Sequence, residues 1–89
     1  MGSMYLCEQA RLVAKRNSNI FLDTVSVLTY DIRWAVQEVG ADKVIMGSDW
    51  PTGSTVVHIK GVTEAVSSEN DRDLILGGNI ARILGLPQT

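Results

Sequence analysis

The chain has 89 residues, of which 45% are hydrophobic, and a formal net charge of −2. This composition is typical of a folded globular protein and too apolar for intrinsic disorder. The mixed charge argues against a nucleic-acid partner, and no apolar run approaches the ~18 residues that a membrane span needs. The single cysteine, Cys7, excludes an internal disulfide or a multi-cysteine zinc site. We therefore predict a cytoplasmic protein without a nucleic-acid or membrane partner.

The chain begins with a short segment that we leave out of the fold. Residues 1–3 are interpreted as an expression scar, because a second methionine follows at position 4. Residues 4–16 are predicted to form a helix, with Cys7 as a small buried apolar side chain. Four apolar residues repeat at helical spacing, and we expect them to face the core: Leu6, Ala10, Val13 and Ala14.

Two apolar runs, residues 20–25 and 44–48, are predicted to be buried strands. The helix between them is predicted to begin at Thr29 or Tyr30 and to end at Gly40, a typical residue after a helix. Its apolar stripe is Ile32, Ala35, Val36 and Val39. A strand, a helix and a strand with short connections form a βαβ unit, so the strands should be parallel with a right-handed crossover.

The last third of the chain is predicted to be helical, over residues 56–66, 69–76 and 80–84. The first of these ranges is ambiguous because it contains β-branched residues and Gly61, and a short helix is the preferred interpretation. The serines at 67 and 68 are predicted to cap the second helix. The glycines at 77 and 78 are predicted to break it, Asn79 to cap the last helix, and Gly85 to close that helix.

Asp49 is the best functional candidate in the sequence. It follows the second predicted strand directly, and Pro51 then stops the strand because proline has no N–H to donate. In parallel α/β proteins, ligands bind at the carboxyl ends of the strands. Position alone leaves two interpretations open for Asp49, a functional carboxylate or a turn and cap residue.

Four stretches of the sequence, taken together with their order along the chain, resemble a known protein family. They are Asn19-Ile20-Phe21-Leu22-Asp23-Thr24, Gly40-Ala41-Asp42-Lys43-Val44, Gly47-Ser48-Asp49-Trp50-Pro51 and the tail Gly77-Gly78-Asn79-Ile80-Ala81-Arg82-Ile83-Leu84-Gly85-Leu86. Together they resemble the C-terminal quarter of amidohydrolase-related, metal-dependent hydrolases. These proteins are (β/α)8 barrels and include lactonases and decarboxylases of the aminocarboxymuconate-semialdehyde type. The resemblance implies an α/β fold in which residues 4–89 are part of a TIM barrel, its last two βα units plus C-terminal helices.

The resemblance also implies a role for one residue. In that family, an aspartate at the end of the last barrel strand binds the divalent metal or takes a proton from the metal-bound water. Asp49 matches that position, which implies both a metal-binding and a catalytic role. The implied parent is a hydrolase with a divalent metal, zinc being the first choice, whose activated water attacks an ester, lactone or amide of a small molecule.

The other family ligands have no counterpart in this chain. The family has a His-x-His pair and two further histidines, whereas His58 is the only histidine here and is interpreted as a surface residue. A catalytic zinc takes three protein ligands. We therefore expect neither tight metal binding nor activity from this chain alone.

Several interpretations remain open. Asp23 is expected to cap a loop or bond Arg33 rather than contact substrate, and Trp50 either covers the core or packs against substrate. Thr24 and Ser26 either line a substrate pocket at the same end of the barrel as Asp49 or are ordinary hydroxyl residues near a strand end. The alternative to a hydrolase portion is a non-catalytic α/β association module. Both predict association with a second copy or with the missing barrel portion, because a two-stranded sheet leaves apolar faces and edges uncovered.

Overall fold

A computed structural model describes residues 1–2 and 6–87 of the chain. The described part contains, in order, α1 (Cys7–Arg16), β1 (Leu22–Asp23), α2 (Thr29–Glu38), β2 (Val44–Ile45), α3 (Thr55–Ala65), α4 (Glu69–Asp73) and α5 (Asn79–Leu84). A 3-10 turn, Ala41–Lys43, leads into β2, and a π-helical turn, Leu74–Gly78, joins α4 to α5. The α/β class is confirmed, in a molecule that is mostly helical. Among the described residues, none of the helices has the length and apolarity needed to cross a membrane.

The sheet consists of β1 and β2, which pair in parallel with Leu22 opposite Val44 and Asp23 opposite Ile45. The predicted βαβ unit is therefore confirmed. Both strands are much shorter than predicted, because regular pairing covers only two residues of each. One more hydrogen bond, from the Thr24 N–H to the Ile45 carbonyl at 3.0 Å, carries the pairing past the end of β1.

The core lies where the helices cover this small sheet. Leu22 of β1 and Val44 of β2 are buried together with side chains from α2, α3 and the π turn, namely Ile32, Ala35, Val62 and Ile75. Ile32 and Ala35 were predicted to face the core from α2, and that prediction is confirmed. The predicted end of α2 is also confirmed, since Gly40 follows it with φ +110°.

Helix α1 confirms the predicted core-facing stripe only in part: Ala14 is buried and Ala10 partly buried, but Leu6 and Val13 are not. Its buried residues are Cys7, Arg11 and Ala14, while Leu6 and Val13 are 56% and 47% exposed. Arg11 takes a place on the buried face, where its Nη1 lies 3.4 Å from Oδ1 of Asp31 of α2. The burial predicted for Cys7 is confirmed, and positions 4 and 5 of the predicted helix lie outside the described residues.

The C-terminal helices confirm some boundaries and correct others. Helix α3 forms as preferred, with Gly61 inside it, and the Ser68 hydroxyl caps α4 by accepting from the Asp71 N–H at 3.3 Å. Gly85 closes α5 with φ +69°. The predicted break at residues 77–78 is wrong, because Gly78 has helical dihedrals and the π turn carries the chain through.

Candidate functional site at the carboxyl end of the sheet

The two strands are held together beyond their paired residues by Thr24. Its side chain is 2% exposed, and its Oγ1 accepts a hydrogen bond from the Gly47 N–H at 3.3 Å. A side chain at position 47 would collide with Val25, because an added Cβ would lie 2.4 Å from Cγ2 of that valine. The close approach of the two strand ends therefore requires Gly47, and the Thr24 hydroxyl is used within the sheet.

Asp49 lies in the turn that follows β2, at the carboxyl end of the strand. It is exposed and has φ +57°, in the left-handed region that few residues other than glycine, asparagine and aspartate occupy. Its carbonyl accepts from the Gly53 N–H at 2.8 Å. No hydrogen bond or ion pair involves the Asp49 carboxylate within residues 1–2 and 6–87. Asp49 lies beyond the carboxyl end of β2 as predicted, but four residues after Ile45 rather than directly after the strand, and its side chain is exposed.

The turn that presents Asp49 is tightly built from backbone and hydroxyl contacts. The Ser48 Oγ accepts from the Trp50 N–H and from the Thr55 hydroxyl, both at 3.3 Å. An added Cβ at Gly53 would lie only 2.0 Å from the Ser48 carbonyl oxygen, so no side chain fits there. The Trp50–Pro51 peptide bond is cis. The position of the carboxylate is therefore set by the turn.

Trp50 is 74% exposed, so the interpretation that it covers the core is wrong. It lines a surface groove of about 390 Å³ with Pro51 and residues 52–56 of the same loop. Asp49 is not among the residues that line this groove.

His58 also reaches this end of the sheet, which the sequence did not predict. It is half-buried in the first turns of α3, and its Nδ1 lies 2.7 Å from the Ser54 carbonyl oxygen. Its Nε2 accepts from the Ser26 N–H at 3.3 Å, and Ser26 has φ +56°. With Nδ1 protonated, the ring donates at one nitrogen and accepts at the other. His58 therefore ties the loop after β1 to the start of α3.

Asp23 has the loop-capping role that was preferred for it. Its Oδ1 accepts from the Val25 N–H at 3.0 Å and lies 3.1 Å from the Met1 amino nitrogen. The alternative bond to Arg33 is wrong, because that guanidinium donates to the Ala65 carbonyl at the end of α3. Asp23 thus caps the loop after β1 through one carboxylate oxygen, while its side chain remains 54% exposed.

Cys7 lies away from this site, on the buried face of α1. Burial is the main cause that raises the pKa of its thiol above the ordinary value of 9.0, and the carboxylate of Asp31 raises this pKa further. A thiol with a raised pKa carries little thiolate at neutral pH, and thiolate is the reactive form. The residue therefore acts as a small apolar side chain.

Within residues 1–2 and 6–87, no group of three or more His, Cys, Asp or Glu side chains is placed to hold a metal ion. Asp49 offers carboxylate oxygens, while His58 uses both ring nitrogens in other contacts. These donors do not amount to the three protein ligands of a catalytic zinc.

Comparisons of the chain with protein-family models, with curated proteins and with solved structures find no match. The functional argument therefore depends on the residues and their geometry.

Proposed function

We propose that this chain contributes the last two βα units of an amidohydrolase-like, metal-dependent hydrolase barrel. In this proposal, Asp49 supplies one metal ligand or the general base. The supporting observation is the placement of Asp49, an exposed carboxylate in the loop beyond the carboxyl end of the second strand of a parallel βαβ unit, four residues after that strand ends. Reactive groups of α/β barrels lie at that end of the strands.

For either proposed role, Asp49 needs only an ionised carboxylate placed at the metal site. A bound divalent metal would lower the pKa of its water toward ~7 and polarise the scissile carbonyl. The Asp49 carboxylate can hold a metal through one oxygen and accept a proton from water through the other. Since its oxygens have no partner among the described residues, both are available for these roles.

The residues around Asp49 suit a small-molecule substrate. The exposed indole of Trp50, the next residue in the chain, offers an apolar surface in the same loop, and His58 accepts a hydrogen bond from the Ser26 loop. The proposal places the protein in the cytoplasm, where a single buried cysteine stays reduced. The remaining metal ligands would come from the other barrel units, so the isolated chain is proposed to be inactive.

The test uses the in-frame coding sequence upstream of this chain. We expect the longer protein to show metal-dependent hydrolysis in a panel of aryl esters and lactones. Asp49→Asn should lower kcat by at least ~100-fold, the low end of what a positioned acid or base contributes. The urea midpoint should not change, because the Asp49 side chain makes no stabilising contact within the described residues.

The matched control is Asp42→Asn, which makes the same chemical change at an exposed residue at the other end of β2. It should retain the activity of the unmodified protein. An Asp49→Asn variant with full turnover would contradict the role of Asp49. Absence of metal-dependent turnover in the longer protein would contradict the hydrolase proposal itself.

A second candidate, a non-catalytic association module, is favoured by the surface. Large apolar side chains are more than a third exposed at fourteen of the described positions, including Val56, Val57 and Leu84. Such a surface favours association with a partner. Sedimentation velocity of the isolated chain over a range of concentrations tests self-association, and a monomer at every concentration would contradict it; metal-dependent turnover in the longer protein is what distinguishes the hydrolase proposal from this one.

A further inference from the structure

The outer edge of β2, the one that faces away from β1, is not open. The Ile45 carbonyl accepts from the Thr24 N–H, so the backbone groups of Ile45 point toward β1. Because successive residues of a strand direct these groups to opposite sides, the Val44 carbonyl and the Met46 N–H point away from β1. Another strand would pair with these two groups.

Residues 75–79 already occupy both positions. The Asn79 Nδ2 donates to the Val44 carbonyl at 2.7 Å and to the Ala41 carbonyl at 2.6 Å. The Met46 N–H donates to the Ile75 carbonyl at 3.0 Å. Asn79 is fully buried at 0% exposure, and its predicted role as a helix cap is wrong, because its side chain donates to the Val44 and Ala41 carbonyls and not to the helix end.

The π turn makes this arrangement possible. In an α-helix, the Asn79 N–H would bond the Ile75 carbonyl, four residues earlier. Here it bonds the Leu74 carbonyl, five residues earlier, which leaves the Ile75 carbonyl available to Met46. The turn leaves little room at Gly78, where an added Cβ would lie 3.2 Å from the Asp73 carbonyl oxygen.

We propose that residues 75–79 form an edge strap, a segment that blocks strand addition at β2 while it is closed and exposes the β2 edge when it is released. A second observation bears on release. The Asn79 Oδ1 is buried without a hydrogen-bond partner in the described part of the chain, and an unsatisfied buried acceptor lowers the stability of the closed state.

The edge strap goes beyond the proposed hydrolase function and does not depend on catalysis. It adds one condition to that proposal, because a closed barrel pairs both edges of every strand. The strap would therefore have to leave the outer edge of β2 before a further strand could pair there.

The test variant is Asn79→Asp, which replaces the Nδ2 donor by an oxygen facing two carbonyl oxygens at nearly constant volume. The matched control is Asn70→Asp, the same change at an exposed residue of α4. Amide hydrogen exchange by NMR should show the Met46 amide exchanging at least ~100-fold faster in Asn79→Asp than in the control, since its acceptor is released. The Thr24 amide, which pairs β1 with β2, should accelerate far less.

Sedimentation velocity should show stronger association for Asn79→Asp than for Asn70→Asp. Equal acceleration of the Met46 and Thr24 amides would overturn the proposal, because Asn79 would then act only on global stability. If Asn79→Asp does not fold, native-state exchange of the unmodified chain in low urea decides. The opening reaction that exposes the Met46 amide should have a lower free energy and a weaker urea dependence than the one that exposes the Thr24 amide. If both amides exchange through the same opening reaction, the edge strap is overturned.

Discussion

Arg11 joins α1 to α2 through a buried charge, and its removal should be among the most destabilising changes in the chain. The side chain is 3% exposed, with Nη1 3.4 Å from Oδ1 of Asp31, which is itself 5% exposed. Nε lies 3.6 Å from Oε2 of Glu38, too far for a hydrogen bond, and Cζ lies 4.8 Å from the Trp34 ring centroid. Arg11 thus compensates a carboxylate that water hardly reaches.

We expect Arg11→Met to reduce the free energy of unfolding by about 3–5 kcal/mol, because it leaves Asp31 buried without its partner. A chain of this length has a total stability of only about 4–13 kcal/mol, so the loss should be large in a urea titration followed by circular dichroism at pH 7. The control is Lys60→Met in the exposed Lys60–Glu64 pair, which should cost about 0.3–0.5 kcal/mol.

The double variant Arg11→Met with Asp31→Leu should recover most of the lost stability, since replacing both members of a buried pair by apolar residues is often neutral. A loss for Arg11→Met within about 1 kcal/mol of that for Lys60→Met would refute the reasoning. It would mean that water reaches Asp31 and that the pair contributes little to the contact between α1 and α2.

Two further predictions concern the backbone and pH. Gly40→Ala should cost about 1–3 kcal/mol in a urea titration, because φ is +110° and the added Cβ would lie 2.7 Å from Oδ1 of Asp42. An unchanged urea midpoint in Gly40→Ala would contradict the positive φ angle at Gly40. For Cys7, the raised pKa means that the unfolded chain releases the thiol proton first as the pH rises. Stability relative to Cys7→Ala should therefore be constant below the ordinary pKa of 9.0 and fall as the pH rises above it, and a pH-independent difference would contradict the shift.

Local patterns in the sequence predicted the helices and the parallel pair well. The apolar stripe of α2, its end at Gly40 and the cap at Ser68 each depend on residues within a few positions of one another. On α1, the burial of Cys7 and Ala14 was predicted, but that of Arg11 could not be predicted in this way. Arg11 would be assigned to a solvent-exposed face by its charge, and only its contact with Asp31 of another helix explains its burial.

The C-terminal turn shows a second limit of local patterns. Two glycines followed by asparagine are typical of a helix end and a cap, yet here residues 74–78 continue the helix as a π turn. The reason lies in β2, whose outward carbonyl and N–H need partners once they are buried. Asn79 and Ile75 supply them, and this pairing is visible only when the strand and the helix are brought together.

At the candidate site, the position of Asp49 followed from its place after an apolar strand and before a proline. The approach of His58 did not, because it depends on how α3 packs beside the loop after β1. The only local trace of this contact in the sequence is Gly53, because an added Cβ there would lie 3.2 Å from Cε1 of the His58 ring. A single sequence does not distinguish such a glycine from an ordinary loop residue.

The central proposal is that Asp49 acts at a metal site completed by other parts of a barrel, and of its two proposed roles, ligand and general base, the ligand role can be tested directly. The most direct test measures zinc content by mass spectrometry after dialysis, on this chain and on the longer in-frame protein. We predict a stoichiometric metal in the longer protein, lost in Asp49→Asn, and only trace metal in this chain. Stoichiometric zinc held by this chain alone would contradict the proposal, and an unchanged metal content in Asp49→Asn would contradict the ligand role.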